Sequence, residues 1–279
     1  MIHDLSVTVL VENTARGADV LGEHGLAFWI EVDRRRILFD TGQGKVLRHN
    51  AKCLEISLDT AETVVISHGH FDHTGGLKDL LDVTGPVNLY LHPAALQEKY
   101  HRKKTPPHRS IGIPNLDEQA LRQRTQKLVW TRKPTKVTEG VYVTGEIPRR
   151  NDFEDTGGPF YVDRSCTEPD PLPDDQALYV ETPAGTVVIL GCAHAGVVNT
   201  LDYIAELTSR DRIHAVLGGM HLMRATPQRL EATVKALKRY GLRRIGTAHC
   251  TGTRATSYLW SQLPNECFEC CVGTVFNIE

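Results

Sequence analysis

One short stretch constrains this chain more than any other. In Ser67-His68-Gly69-His70-Phe71-Asp72-His73-Thr74-Gly75-Gly76, three imidazoles and a carboxylate fall within six residues, directly after the β-branched run Thr63 to Ile66. So many polar groups at a strand end are expensive to bury unless they share a ligand. Imidazole nitrogens beside a carboxylate suit a borderline divalent ion such as Zn²⁺. Alternation sends His68 and His70 to one side, while Asp72 and His73 turn toward a second position, which leaves room for two ions. A chance His-rich turn is the competing reading, and it is weak because four such ligand types rarely coincide.

The rest of the chain must hold that stretch at the end of a strand, and its patterning supplies strands and helices in alternation. Leu5 to Val11 alternates, and Leu26 to Val32 and Ile37 to Phe39 flank the polar turn Asp33 to Arg36, which predicts an opening meander. Residues 43–51 and 74–82 have helix-compatible patterns, and Val87 to Leu91 reads as a further strand. In the second half, Ala177 to Thr182 and Thr186 to Leu190 flank a Pro-Ala-Gly turn. A helix is expected near 197–207 and a short buried strand at Ala215 to Leu217. Thr226 and Pro227 make an N-cap and first-turn pair, with Leu230, Val234 and Leu237 at helical spacing and Gly241 past the end. No low-complexity linker divides the 279 residues, so residues 1–279 are read as a single α/β domain.

Charge narrows the partners. The formal net charge of −2 removes the global positive field of a nucleic-acid binder, so neither nucleic acid nor membrane is expected. No apolar run approaches the ~20 residues of a membrane span, and the first residues lack a leader's basic region and cleavage site. The expectation is a cytoplasmic protein, and its seven cysteines, an odd number, are expected to be reduced. Cys267, Cys270 and Cys271 are read as silent thiols rather than a metal knuckle.

Charge is uneven along the chain. Residues 99–136 hold eleven Lys and Arg against Asp117 and Glu118, and residues 150–175 hold eight acids against Arg150 and Arg164. Both stretches are read as lid insertions, the alternative being a solvated basic face with its acidic partner. The densest cations are Lys99, Arg102, Lys103, Lys104 and Arg109, and they are expected to capture a small anionic substrate such as a phosphate ester. Thr251, Gly252 and Thr253 precede an expected helix at 254–262 and could present its N-terminus to a phosphate, the alternative being simple capping by the threonines. His24, in Glu23-His24-Gly25, is read as a substrate contact, and His101 and His108 as exposed lid residues.

The motif His68-x-His70-x-Asp72-His73 resembles the defining motif of the metallo-β-lactamase superfamily, and Asp40-Thr41-Gly42 its upstream strand end. Glu23-His24-Gly25-Leu26, Gly191-Cys192-Ala193-His194, Gly218-Gly219-Met220-His221 and His249-Cys250-Thr251-Gly252 resemble the branch named for the dihydropterin-ribofuranosylaminobenzene-phosphate synthase. The resemblance implies a four-layer αββα sandwich. It implies that His68, His70 and His194 bind one metal, that Asp72 and His73 bind another, that His249 is the last metal ligand, and that Asp40 orients a bound imidazole. Many relatives have aspartate where this chain has Cys192, so the bridge is open between Cys192, His221 and a hydroxide. His221 is weighed equally as ligand and as ligand support.

With His70 in place, the hydrolytic type is favoured over a di-iron electron-transfer relative. Zinc is the first choice, manganese and iron the alternatives, and a metal-acidified water is the expected nucleophile, with Asp72 holding or relaying its proton. Phosphoester hydrolysis leads. A pterin-linked synthase is the runner-up, giving a phosphorylated or pterin-like substrate. A non-catalytic sensing domain is third, disfavoured by the intact ligand motif. The oligomeric state, a homo-oligomer included, is not legible.

Overall fold

Strands buried on both faces dictate the layering. All side chains of Thr63–Val65 and Gly185–Leu190 are buried, as are nearly all of Leu5–Val11. A strand reaches that state only with another layer on each side. In the computed structural model, which describes residues 1–210 and 212–278, the layers are two seven-stranded sheets packed face to face with helices outside both.

Alternation sorts the side chains. Phe39 and Val65 of one sheet meet Val187, Ile189 and Leu217 of the other between the sheets. Their neighbours Leu38, Val64 and Ile66 point outward onto Leu47, Leu77 and Leu80 of the helices Leu47–Cys53 and Leu77–Leu81. Val188 and Leu190 likewise pack on Leu201, Ile204, Leu230 and Leu237 of Val197–Thr208 and Pro227–Arg239. Each such buried aliphatic side chain contributes roughly 1.5–3 kcal/mol of transfer free energy. The result is the expected αββα sandwich.

The first sheet runs Val275–Ile278, Leu5–Val11, Ala27–Val32, Arg35–Phe39, Thr63–Val65, Asn88–Leu91, Lys127–Trp130. The second runs Cys267–Glu269, Arg244–Ala248, Ile213–Gly219, Gly185–Leu190, Leu178–Thr182, Val141–Val143, Thr135–Thr138. The last four strands of the first sheet are mutually parallel, as are the first four of the second. Parallel strands deliver their carboxyl ends to one edge, where ligand sites of open α/β sheets form. The expected helix caps hold too: Thr226 accepts from the Arg229 N–H at 3.2 Å, and Gly241 has φ of +62°.

The segment 99–136 differs from expectation. Only its first part lies over the strand ends, where Tyr100–His101 pairs with Arg109–Ser110 and with Phe160–Tyr161 in a three-stranded sheet. The remainder is scaffold: the helix Glu118–Arg124, capped by Asp117, and the two edge strands Lys127–Trp130 and Thr135–Thr138. Edge strands tolerate flanking lysine and arginine, and those charges hid the apolar Leu128, Val129 and Trp130. Among the described residues no helix is long and apolar enough to cross a membrane.

Lys99 is also not a capture residue. Its side chain is buried, and its ammonium donates to Asp170 at 2.8 Å and Asp174 at 2.9 Å, tying the basic stretch to the acidic one. Breaking a buried ionic set by removing one member is strongly destabilising. Lys99→Ala is therefore expected to lose about 3–5 kcal/mol in urea unfolding; a loss below about 1 kcal/mol would show that the two carboxylates manage without it.

Candidate metal centre

Asp40 organises the strand ends. It follows Phe39 in a left-handed conformation (φ +60°), which turns its carboxylate back under the neighbouring strand end. Its Oδ1 accepts from the Ser67 N–H at 2.7 Å. Its Oδ2 accepts from the Ser67 hydroxyl at 2.6 Å and from His73 Nδ1 at 2.7 Å. The Ser67 oxygen, having given its proton to Asp40, accepts from His68 Nδ1 at 2.9 Å. Two imidazoles are thereby oriented with Nε2 turned toward the other donors, the orientation in which a histidine binds metal.

The other rings are oriented in the same way. His194 Nδ1 donates to the Thr156 carbonyl at 2.8 Å, and His249 Nδ1 donates to Asn13 Oδ1 at 2.9 Å. Nε2 of His70 and Nε2 of His194 are buried without a hydrogen-bond partner. The His68 ring lies 4.6 Å from that of His70 and 4.8 Å from that of His194, with His68 Nε2 3.0 Å from His70 Nδ1. Such a density of lone pairs and orphaned nitrogens fits divalent ions and little else.

Cys192 stands at the centre. Its sulfur is 3.2 Å from His73 Nε2, and donor atoms within 4.8 Å of one another group it with His68 and His194, with His73 and His249, and with His221 and Cys250. A fourth group joins His24, Asp72 and His249. Cys192 therefore lies within reach of donors from both of the expected ligand sets. The expected alternative bridge, His221, sits with the two thiols instead, its Nε2 donating to the Gly157 carbonyl at 3.2 Å.

Electrostatics follow from burial. Burial, then the neighbouring rings of His73, His70 and His194, push His68 well below the usual histidine range. Burial brings His70 down to about 3. Burial works against the proton on His73 as well, but the Asp40 carboxylate outweighs it and raises this ring to about 9. Burial alone would raise Asp72; hydrogen bonds from His24 and His249 hold it well below the carboxylate range. Burial, then Cys250, pushes the Cys192 thiol up.

The centre opens into a cavity of about 270 Å³ whose walls include His70, Asp72, Cys192, His194 and His249, the apolar Phe71, Ile111 and Phe160, and the guanidinium-bearing Arg109 and Arg224. The sequence expectations divide here. Arg109 lines the cavity, its guanidinium 4.6 Å from the centre of the Phe71 ring. Lys103 and Lys104 are exposed and stand outside it. Arg102 is turned away, stacked over Tyr161 at 4.1 Å and donating to the Cys166 carbonyl. His101 lines the cavity, where burial and then Arg224 and Arg109 lower its pKa.

The phosphate loop is also corrected. The Thr251 hydroxyl is buried and accepts from the Met220 N–H at 3.0 Å. Gly252, not a threonine, is the N-cap of Thr253–Gln262. Gly252 and Thr253 face a neighbouring cavity that also holds Glu12 and Glu269, a poor setting for an anion. Cys267, Cys270 and Cys271 are buried free thiols.

Sequence reasoning missed Glu12, Asn13, Cys250 and Arg224. Glu12 Oε1 accepts from the His249 N–H at 2.7 Å across 237 positions, a contact no local pattern announces. Cys250 had a signal, since it lies beside His249 in the motif His-Cys-Thr-Gly.

This chain belongs to the metallo-β-lactamase superfamily, whose family model matches residues 21–244. It is 29% identical over 280 residues, 95% of this chain and 94% of the other, to the 7,8-dihydropterin-6-methyl-4-(β-D-ribofuranosyl)-aminobenzene-5′-phosphate synthase of Methanocaldococcus jannaschii. A second protein of that organism, MJ0448, is 31% identical, covering 93% of this chain and 95% of its own. In structure the chain is similar to Tm1679, a metal-dependent hydrolase of the β-lactamase superfamily, with a TM-score of 0.82, 30% identity and 98% of each chain covered. The site's donor groups thus sit in a family of metal-dependent enzymes.

Replacing Asp40 by alanine releases both Ser67 and His73. Losing such an orienting partner typically weakens metal binding about 10–100-fold. That loss is the expected result for Asp40→Ala in a chelator-competition titration.

Proposed function

We propose that the protein is a metal-dependent hydrolase of a small phosphoester or related anionic ester. The observation that carries this reading is the meeting of imidazole, carboxylate and thiol donors with Arg109 and Arg224 in the walls of one cavity. His68, His70 and His194 would hold one ion and Asp72, His73 and His249 a second, with the Cys192 thiol available as a further donor to either set. The imidazole and thiolate set suits zinc best, ahead of manganese or iron. Divalent ions held there would acidify water to a pKa of about 7 and polarise the ester oxygen.

The chain's own residues do the remainder. Arg109 and Arg224 attract and seat the anionic group, guanidinium being suited to phosphate oxygens. Phe71, Ile111 and Phe160 exclude water and pack on the apolar part of the substrate. Asp72, whose carboxylate lines the cavity, would hold or relay a proton of water there.

Metal analysis of protein purified without added metal is the direct test. About two equivalents per chain support the reading; fewer than one, not restored by reconstitution, overturns it. With a phosphodiester substrate, Arg109→Ala and Arg224→Ala are each expected to raise KM about tenfold with a smaller change in kcat, since they bind ground and transition states alike.

A second reading is supported by the likeness to the M. jannaschii synthase and by the aromatic side chains Phe71 and Phe160 in the cavity wall. It is the condensation of a reduced pterin with an aminobenzene ribofuranosyl phosphate. Tight binding of a reduced pterin with pyrophosphate release, and no ester hydrolysis, would favour it.

A further inference from the structure

We propose that His24 is a ligand of the second metal rather than a substrate contact. The inference rests on the two-metal reading above and adds a donor from a loop outside the superfamily motif.

The geometry centres on Asp72 Oδ2. His24 Nε2 lies 3.2 Å from it and His249 Nε2 3.3 Å from the same oxygen. The two rings lie beside one another, tilted by 39°, with centroids 4.8 Å apart. The three donor atoms lie within 4.8 Å of one another, as ligands about one ion do. His249 has no other nitrogen to offer, because its Nδ1 is engaged by Asn13.

The loop carrying His24 is built to deliver it. The Glu23 N–H donates to the Glu12 carbonyl at 3.0 Å, and the Glu23 carboxylate accepts from the N–H groups of Gln43 and Lys45 at 2.9 and 3.2 Å. Gln43 Nε2 donates to the His24 carbonyl, and the Leu26 N–H donates to the Asp72 carbonyl at 3.3 Å. Asn13 Oδ1 accepts from both the Gly25 N–H and His249, so one amide ties this loop to the other ring. A Cβ at Gly25 would stand 2.6 Å from the Asp72 carbonyl oxygen, so only glycine permits this approach.

Neither simpler role accounts for this. His24 lines the cavity, as a substrate contact would, but its Nε2 is turned onto the Asp72 carboxylate rather than left open for a substrate. A plain ion pair with a side chain 55% exposed stabilises little and needs no such framework. Partial exposure is what an ion with a substrate-facing side requires.

The test is a titration of metal-free protein with Co²⁺, followed by visible ligand-field absorption and by competition with a chromophoric chelator. Wild type is expected to take two equivalents. His24→Ala should take the first with unchanged affinity and the second at least tenfold more weakly, with a changed second-phase spectrum. His24→Gln keeps a donor to Asp72 without an imidazole and should behave like the alanine variant. Wild-type affinity and spectrum for both ions in His24→Ala would overturn the inference. So would full recovery in His24→Gln, which would make the residue a positioning group for Asp72. If wild type takes fewer than two equivalents, the two-metal reading falls and the inference with it, a result distinct from the other two.

Discussion

The carboxylate of Asp40 is the constraint on which the rest of the site depends. One buried side chain accepts three hydrogen bonds, from the Ser67 backbone, the Ser67 hydroxyl and His73. It thereby ties two adjacent parallel strands at their ends and sets which nitrogen of His73 is free, while its hold on Ser67 does the same for His68. Hydrogen bonds to a charged acceptor are worth about twice neutral ones. The backbone accepts strain in return. Asp40, Ala193, His221 and His249 all have φ between +47° and +60°, at a cost of order 1–3 kcal/mol each. All four lie just past strand ends, where the chain must turn sharply to point a side chain across the edge.

The same edge explains why the fold and the site cannot be separated. Each sheet contributes a parallel half whose carboxyl ends carry one share of the donors. His68, His70, Asp72 and His73 come from the first sheet, and Cys192, His194, His221 and His249 from the second. The apolar layer between the sheets, Phe39 and Val65 against Val187 and Ile189, sets the distance between the shares. An interior packed to crystal density holds that distance rigidly. Cys192 adds a thiol, a softer donor than a carboxylate, to the share from the second sheet.

Much of this was legible in the residues. The strands Leu5–Val11 and Ala27–Val32 and the capped helix Pro227–Arg239 follow from local periodicity and end signals, which act over a few residues. The ligand motif was legible because it is contiguous. What was not legible is what depends on distant pairing. Lys99 reads as a surface cation until Asp170 and Asp174 are brought to it. Trp130 reads as part of a charged insertion until Leu91 pairs beside it. His24 reads as a substrate contact until the Gly25 backbone settles against Asp72 and the ring meets its carboxylate.

The pairing of Leu5–Val11 with Val275–Ile278, and of Glu12 and Asn13 with His249, has a consequence for the chain's birth on the ribosome. Synthesis proceeds at about 5–20 residues per second, so the N-terminal strand waits many seconds for its partner. Until then its outer edge and the loop beside it have no template. The donors of the second sheet and their supports at Glu12 and Asn13 accordingly come together only after His249 is made, and an ion captured earlier by the His68–His73 segment would be held by half a site.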